Sequence, residues 1–222
     1  MSGPHLTVLR FTVTERALHW TFAAGYLALL VSGLPLMWPA LRGLIRDYTP
    51  VMGVRLHLAA ALLWVLAPLG VILLGERGRL RRTLNELTGL TRLDAAWLVR
   101  FPRWLVSGRE ARARLDERVG RFNGGQKLNA LFVLVTSLLL GFSGLMLTPA
   151  ALAGQGPGTG VWREVHQYVT FLALGPLIGH VYLALVHPPT RPALPGMVHG
   201  RVQAQWAALH HPRWRPPEGE DP

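Results

Sequence analysis

The chain has 222 residues, half of them hydrophobic, a formal net charge of +11 and no cysteine. The missing thiols exclude disulfides, covalent attachment of a porphyrin through Cys-x-x-Cys-His, and any cysteine-ligated iron–sulfur cluster on this chain. The charge alone would suit a nucleic-acid binder, but its placement along the chain argues against one.

In chain order, Met1–Glu15 is polar and reads as no cleavable signal peptide. It is followed by a continuous apolar run at 17–38, long enough to remain as an anchor, and three further runs follow at about 52–74, 128–148 and 161–186. Each reaches the roughly 20 residues needed to cross a hydrocarbon core of ~30 Å. The runs do not alternate, and in lipid a helix satisfies its own backbone hydrogen bonds whereas a short open sheet does not. The expected fold is therefore all-α: a transmembrane four-helix bundle forming a single membrane domain over residues 1–214. Pro35, Pro68 and Pro176 fall within or near these spans, where proline kinks more often than it terminates.

Between the second and third spans lies the one large insertion, residues 75–127. Leu80, Leu84, Leu87, Leu90, Leu93 and Trp97 recur at helical spacing among arginines. That pattern predicts an amphipathic helix, lying either on the inner leaflet with its bases toward lipid phosphates or packed on the ends of the bundle. Pro102 is expected to break it, and Arg109–Arg121 to form a short solvated helix. The outer loops are short and rich in proline or glycine, as in Gln155–Gly160. Pro188-Pro189 opens the tail, and residues 215–222 read as disordered. With the N-terminus inside, the arm, the insertion and the tail hold 19 of the 23 Lys and Arg residues, leaving only Arg42, Arg46, Arg55 and Arg163 outside. Basic loops stay in the cytoplasm, so the sequence predicts an N-in, C-in topology in a bacterial cytoplasmic membrane, and the net charge becomes a topology signal.

Of nine histidines, His19, His57, His166 and His180 fall inside predicted spans. An imidazole in hydrocarbon is costly without a partner, so each is a candidate functional group, although any one alone could be hydrogen-bonded to a neighbouring helix. Their depths carry more information. His19 lies near the inner end of the first span, His57 near the outer end of the second, and His166 near the outer end of the fourth. His180 follows His166 by fourteen residues, about 21 Å along a helix and nearly whole turns, so it is inner and shares roughly the same face. One pair thus sits near each surface: His57 with His166, and His19 with His180. Two stacked bis-histidine haems need this arrangement, with iron at all four imidazoles. Structural zinc, which takes four ligands at one point and often thiolates, does not. Two axial histidines leave iron no open position, which suits electron transfer.

Arg55, Arg163 and Arg16 are candidate partners for haem propionates, or interfacial arginines whose charges reach the headgroups. His187, at the end of the fourth span, competes with His180 as inner ligand. His5, His199, His210 and His211 read as solvated surface groups. Gly25, Gly33, Gly141, Gly144 and Gly175 leave room for a bulky group or for close helix packing. At the entry to the third span, Asn123 can cap the helix and Gly124-Gly125 can form the tight approach. Alternatively, Asn123 and Gln126 offer amide donors to a quinone carbonyl, with Gly125 allowing a flat head group near the backbone.

Glu15-Arg16-Ala17-Leu18-His19-Trp20, Asn123-Gly124-Gly125-Gln126-Lys127, His166 with His180, and the exit through Pro188, Met197-Val198-His199-Gly200-Arg201-Val202 and Trp206 carry a resemblance. Over about residues 10–214 the chain resembles the cytochrome b (gamma) subunit of membrane-bound respiratory formate dehydrogenase. The resemblance implies four transmembrane helices, two haems b, an iron–sulfur partner subunit and a molybdenum or tungsten catalytic subunit in a complex that can be a higher oligomer. It implies an outer haem on His57 and His166 receiving electrons from the iron–sulfur partner. It also implies an inner haem on His19 and His180 delivering them to menaquinone or another quinone lined by Asn123, Gly125 and Gln126. Formate chemistry itself would lie on another chain. Related b-type subunits serve nickel–iron hydrogenase and thiosulfate reductase, and a free-standing di-haem quinone oxidoreductase is the remaining alternative.

Overall fold

The computed structural model describes residues 6–153 and 160–216. The predicted 215–222 tail lies mostly outside the described residues, as do His5 and most of the Gln155–Gly160 loop. Among the described residues, four helices are long and apolar enough to span a membrane: α1 (Val13–Met37), α3 (Pro50–Leu74), α7 (Gly124–Leu152) and α8 (Val161–Leu185). They begin two to four residues before the expected runs in α1, α3 and α7, because polar caps lie outside the apolar stretch, and the remaining ends agree within one residue except the C-terminus of α7, which runs on to Leu152. Thr12 and Glu15 form a capping box on α1: the Thr12 hydroxyl accepts from Glu15 N at 3.3 Å, and a Glu15 carboxylate oxygen from Thr12 N at 2.8 Å. Thr49 caps α3 ahead of Pro50, which suits the first helical turn because it lacks an N–H. Short α2 (Pro39–Arg42) follows α1, and Arg42 donates to the carbonyls of Pro35 and Leu36, satisfying the last turn of α1. Pro35, Pro68 and Pro176 all lie inside helices, as does Pro149 in α7. Long apolar side chains such as Leu62, Leu63, Leu66 and Leu73 are exposed along α3, as expected of a surface solvated by lipid.

The chain divides into two compact units. The first comprises residues 1–16, 77–134 and 176–222, and the second residues 17–76 and 135–175. In the first unit the insertion forms two helices where one was expected, α4 (Arg77–Thr88) and α5 (Arg92–Val106), then α6 (Arg109–Asp116). The break falls at Gly89–Thr91 and not at Pro102. Thr91 and Asp94 form a capping box that starts a new helix there, whereas exposed Pro102 is accommodated inside α5. One face of α5 is buried: Trp97 and Trp104 pack with Val119, Leu98, Phe101, Leu105 and Leu115.

The tail is structured as α9 (Leu194–Val198), a strand β2 (Arg201–Gln203) and α10 (Ala204–His210). It returns to the N-terminal arm, where β2 pairs antiparallel with β1 (Thr7–Leu9), Val8 opposite Val202. Gly200, at φ +89°, turns the chain into that strand in a conformation costly to residues with a Cβ. His210 and His211 are buried, contrary to the expectation of solvated groups. His210 Nδ1 meets the buried Asp116 carboxylate at 3.1 Å, and His211 Nδ1–H donates to the Gly120 carbonyl at 2.8 Å. The same carboxylate accepts from the indole N–H groups of Trp97 and Trp104, so one aspartate ties α5, α6 and α10 together.

Candidate functional site: a histidine pair in the membrane helices

His57, two turns into α3, and His166, in the second turn of α8, lie in the second unit with ring centres 6.2 Å apart and planes at 82°. Each is held by a Ser–Gly dipeptide on a facing helix. From α1, Ser32 Oγ lies 3.0 Å from His57 Nδ1. From α7, the fully buried Ser143 Oγ lies 2.9 Å from His166 Nδ1. The adjoining glycines give the rings room: a Cβ at Gly33 would stand 3.1 Å from His57 Cε1, and one at Gly144 would touch His166 Cε1 at 3.5 Å.

Counting donors favours one tautomer. A serine hydroxyl has one proton. In both cases that proton is directed at the carbonyl four residues back, 2.7 Å from Ala28 O for Ser32 and 2.7 Å from Leu139 O for Ser143. The oxygen is left to accept, so each histidine donates from Nδ1. Both imidazoles therefore carry their proton on Nδ1 and keep a lone pair on Nε2, the form in which histidine binds a metal.

The spacing fits one metal between two rings. Metal–imidazole bonds of about 2 Å, with roughly 1 Å more from each ring nitrogen to its ring centre, place the centres about 6 Å apart. Among the described residues no three His, Cys, Asp or Glu side chains gather at one point, so the donor set has the character of an axial pair and not of a tetrahedral zinc site.

The other expected site residues are distributed as follows. His19 lies two turns into α1 in the second unit, its ring edge-on to Trp20 at 5.2 Å. His180 lies near the end of α8 in the first unit. His187, the competitor, is buried beyond the end of α8 against Trp104, 5.7 Å between ring centres, with Nδ1 3.1 Å from Thr190 Oγ1. Burial holds its pKa below the ordinary value for histidine. Arg55 is exposed on α3 and Arg163 half-buried on α8, each within a turn of its histidine. Arg16 is committed elsewhere, donating to Val198 O at 2.6 Å.

Asn123 caps α7 in a reciprocal box: Gln126 N donates to Asn123 Oδ1 at 2.9 Å and Asn123 N to Gln126 Oε1 at 3.0 Å. Both bonds use amide oxygens and neither uses an NH2 group. The glycines are required by α5, since a Cβ at Gly124 would stand 2.6 Å from Asp94 O and one at Gly125 3.0 Å from the Trp97 ring. Lys127 Nζ closes the same contact on Asp94 Oδ2 at 2.9 Å and on Gly89 O at 3.0 Å. Burial alone would raise the Asp94 pKa, but the bonds from Lys127 and Thr91 outweigh it and hold the carboxyl below its ordinary value. A cavity of about 220 Å³ adjoins this contact, lined by Trp97, Arg100, Arg114, Arg118 and Gly124 among others.

The two motif stretches also meet in the first unit. Arg121, which opens the loop before α7, pairs with Glu15 at 2.8 Å and donates to Arg10 O at 2.7 Å, while Arg10 donates back to Arg121 O at 2.9 Å. Thr83 of α4 donates its hydroxyl to the same Glu15 carboxylate. Arg10 is buried against the rings of Phe11, Trp206 and Trp214, and burial first, then the Arg121 charge, lowers its pKa to about 9.

Residues 10–200 match the family model described as prokaryotic cytochrome b561. The chain belongs to the prokaryotic cytochrome b561 family. Among its relatives is the cytochrome b556(Fdn) subunit of the nitrate-inducible formate dehydrogenase of Escherichia coli K12. That protein is 24% identical over 210 residues, 93% of this chain and 89% of the relative. The cytochrome b556(fdo) subunit of a formate dehydrogenase from the same strain is 27% identical over 214 residues, 94% and 92% of the two chains. As a cytochrome b of this family, the chain is a multi-pass membrane protein for electron transfer, and its family cofactor is haem b. Sequence reasoning found the four histidines but not Ser32 and Ser143, because a serine beside a glycine in an apolar helix is also an ordinary packing pair.

Proposed function

We propose that this chain is the di-haem membrane subunit of a formate dehydrogenase complex, carrying electrons from an iron–sulfur partner subunit to menaquinone. A molybdenum or tungsten subunit would bear the formate chemistry. The observation that carries the reading is the pair His57 and His166, whose ring centres stand at the separation an axial pair requires while a serine engages the Nδ1 of each. The relatives supply the complex, being formate dehydrogenase subunits themselves.

In this reading the termini and the arginine-rich helices α4–α6 face the cytoplasm, with the basic surfaces of α4 and α5 toward inner-leaflet phosphates. His57 and His166 would hold a haem near the outer surface, and His19 and His180 are the ligands expected from the sequence for a second one near the inner surface. Haem b would supply a one-electron ferric–ferrous couple, and the two histidines of a pair would be its protein ligands. Ser32 and Ser143 orient the outer ligands and increase their basicity. Arg55 and Arg163, on the same helix ends as those ligands, neutralise the propionates.

At the inner side, Asn123, Gly125 and Gln126 line the quinone site. Capping of α7 engages the amide oxygens, so the NH2 groups of Asn123 and Gln126 are the donors for quinone carbonyls. Because Trp97 fills the Cβ direction at Gly125, that glycine offers its backbone to the head group. The quinone takes two electrons and two cytoplasmic protons to become quinol, so inward electron flow and inner-side proton uptake both charge the membrane.

The test is spectral. The complex should show a dithionite-reduced b-type absorption with about two haems per copy of this chain, and His57→Ala should remove one of them and leave the other titratable. A colourless protein would refute the reading, and retention of both haems in His57→Ala would refute the pairing.

A further inference from the structure

In the second unit, two turns beyond His57 along α3 and on nearly the same face, stands Trp64. Its indole is pressed onto α1 at Gly25: a Cβ there would stand 2.7 Å from Trp64 Cδ1, 3.0 Å from its Cβ and 3.1 Å from its Cα. Phe22 backs the ring, with centres 5.1 Å apart. Helix spacing sets the depth. Gly33, which makes room for His57, lies eight residues from Gly25, about 12 Å along α1, and His19 lies six residues away on the other side, about 9 Å. Trp64 therefore occupies the interval between the level of the outer histidines and the level of His19.

The indole nitrogen adds a second, independent observation. Trp64 Nε1–H is buried and has no acceptor among the described residues. A buried indole N–H ordinarily finds a partner, and deep in a membrane there is no water to supply one. The contacts with Gly25 and Phe22 seat the ring against α1 at this depth.

We infer that Trp64, seated on Gly25 and backed by Phe22, is the spacer between the two haem sites and contacts bound haem through its ring and its N–H. The inference rests on the di-haem reading. Trp64 is a positioning residue: it ligates nothing, and it fixes the separation of the two sites.

The experiment uses the purified complex carrying Trp64→Ala, Trp64→Phe or Gly25→Ala. Haem content, circular dichroism of the Soret band, which reports the mutual placement of two haems, and the midpoint potential of each haem are measured. Gly25→Ala and Trp64→Ala should change the Soret dichroism and shift at least one potential, or release one haem. Trp64→Phe should keep both haems and the wild-type dichroism while shifting one potential through loss of the N–H. Wild-type dichroism and potentials in both Gly25→Ala and Trp64→Ala, with two haems present, would overturn the inference and leave the di-haem reading intact. Absence of two haems from the wild-type complex would instead overturn the di-haem reading and this inference with it.

Discussion

Replacing Ser32 or Ser143 with alanine should raise the potential of the outer haem alone. In the proposed reading each hydroxyl accepts from Nδ1–H of a ligand of the outer haem, at 3.0 and 2.9 Å. That bond gives the imidazole anionic character, which favours ferric over ferrous iron. Its net worth is about 0.5–1.5 kcal/mol. For a one-electron couple a tenfold change in equilibrium is 59 mV, so the expected rise is on the order of 20–60 mV for each serine. Haem should be retained, since both axial ligands and the glycine clearances at Gly33 and Gly144 are untouched. The assay is a spectroelectrochemical titration of the α-band, resolved into two components. Serine-to-threonine variants, which restore a hydroxyl, should return the potential toward wild type. An inner component that moves while the outer does not, or no movement in either variant, would refute the assignment of these serines as acceptors from the outer ligands.

Three further outcomes are expected. Asn123→Asp combined with Gln126→Glu keeps an oxygen for each capping bond but removes both NH2 donors, so the fold and haem content should hold while quinol formation falls by at least tenfold, about 1.4 kcal/mol of binding or barrier. Unchanged turnover would reduce the loop to a helix cap. Gly124→Ala should destabilise the first unit by about 1–3 kcal/mol, because the new Cβ meets the Asp94 backbone and α5 has to move; thermal unfolding of the detergent-solubilised protein checks it. Acidification should loosen the tail. Burial first, then the Arg10 charge, holds the His211 pKa well below its ordinary value, so the unfolded tail binds a proton before the folded one does. The resulting stability is fully present above about pH 6.5 and is lost as pH falls below it toward the folded value. Hydrogen exchange in α10, corrected for its intrinsic pH dependence, should accelerate in that range, and pH-independent protection would contradict the burial.

Hydropathy made the four spans legible to within a few residues, because a membrane helix must be apolar along its whole length and few other structures are. The insertion was legible as helical but not in its division into α4 and α5. Its leucine spacing announced an amphipathic segment, yet the break depended on the Thr91–Asp94 capping box, a local hydrogen-bond competition that periodicity does not register. Pro102 misled because the missing N–H and the ring were judged without the exposed helix surface that accommodates them. The buried tail was least legible. Its histidines look solvated in a polar stretch, and only the return of α10 to Asp116 and Gly120, distant in sequence, gives them buried partners.

The site was legible where chemistry forced rare residues into costly places, and illegible where common residues do the supporting work. Four histidines in apolar runs stand out because lipid penalises each of them. Serine does not, since its hydroxyl can bond back to its own helix, as Ser32 and Ser143 both do. That back-bond hides their role and also enables it. A serine whose proton is already spent on its helix can only accept, so it dictates which imidazole nitrogen carries hydrogen. The same economy operates at the entry to α7, where Asn123 and Gln126 give their oxygens to the cap and their NH2 groups take no part in it. In both places a structural bond consumes one half of a bifunctional group and thereby polarises the other half, so capping and quinone binding, which compete for Asn123 in a reading of the sequence, are compatible in the fold.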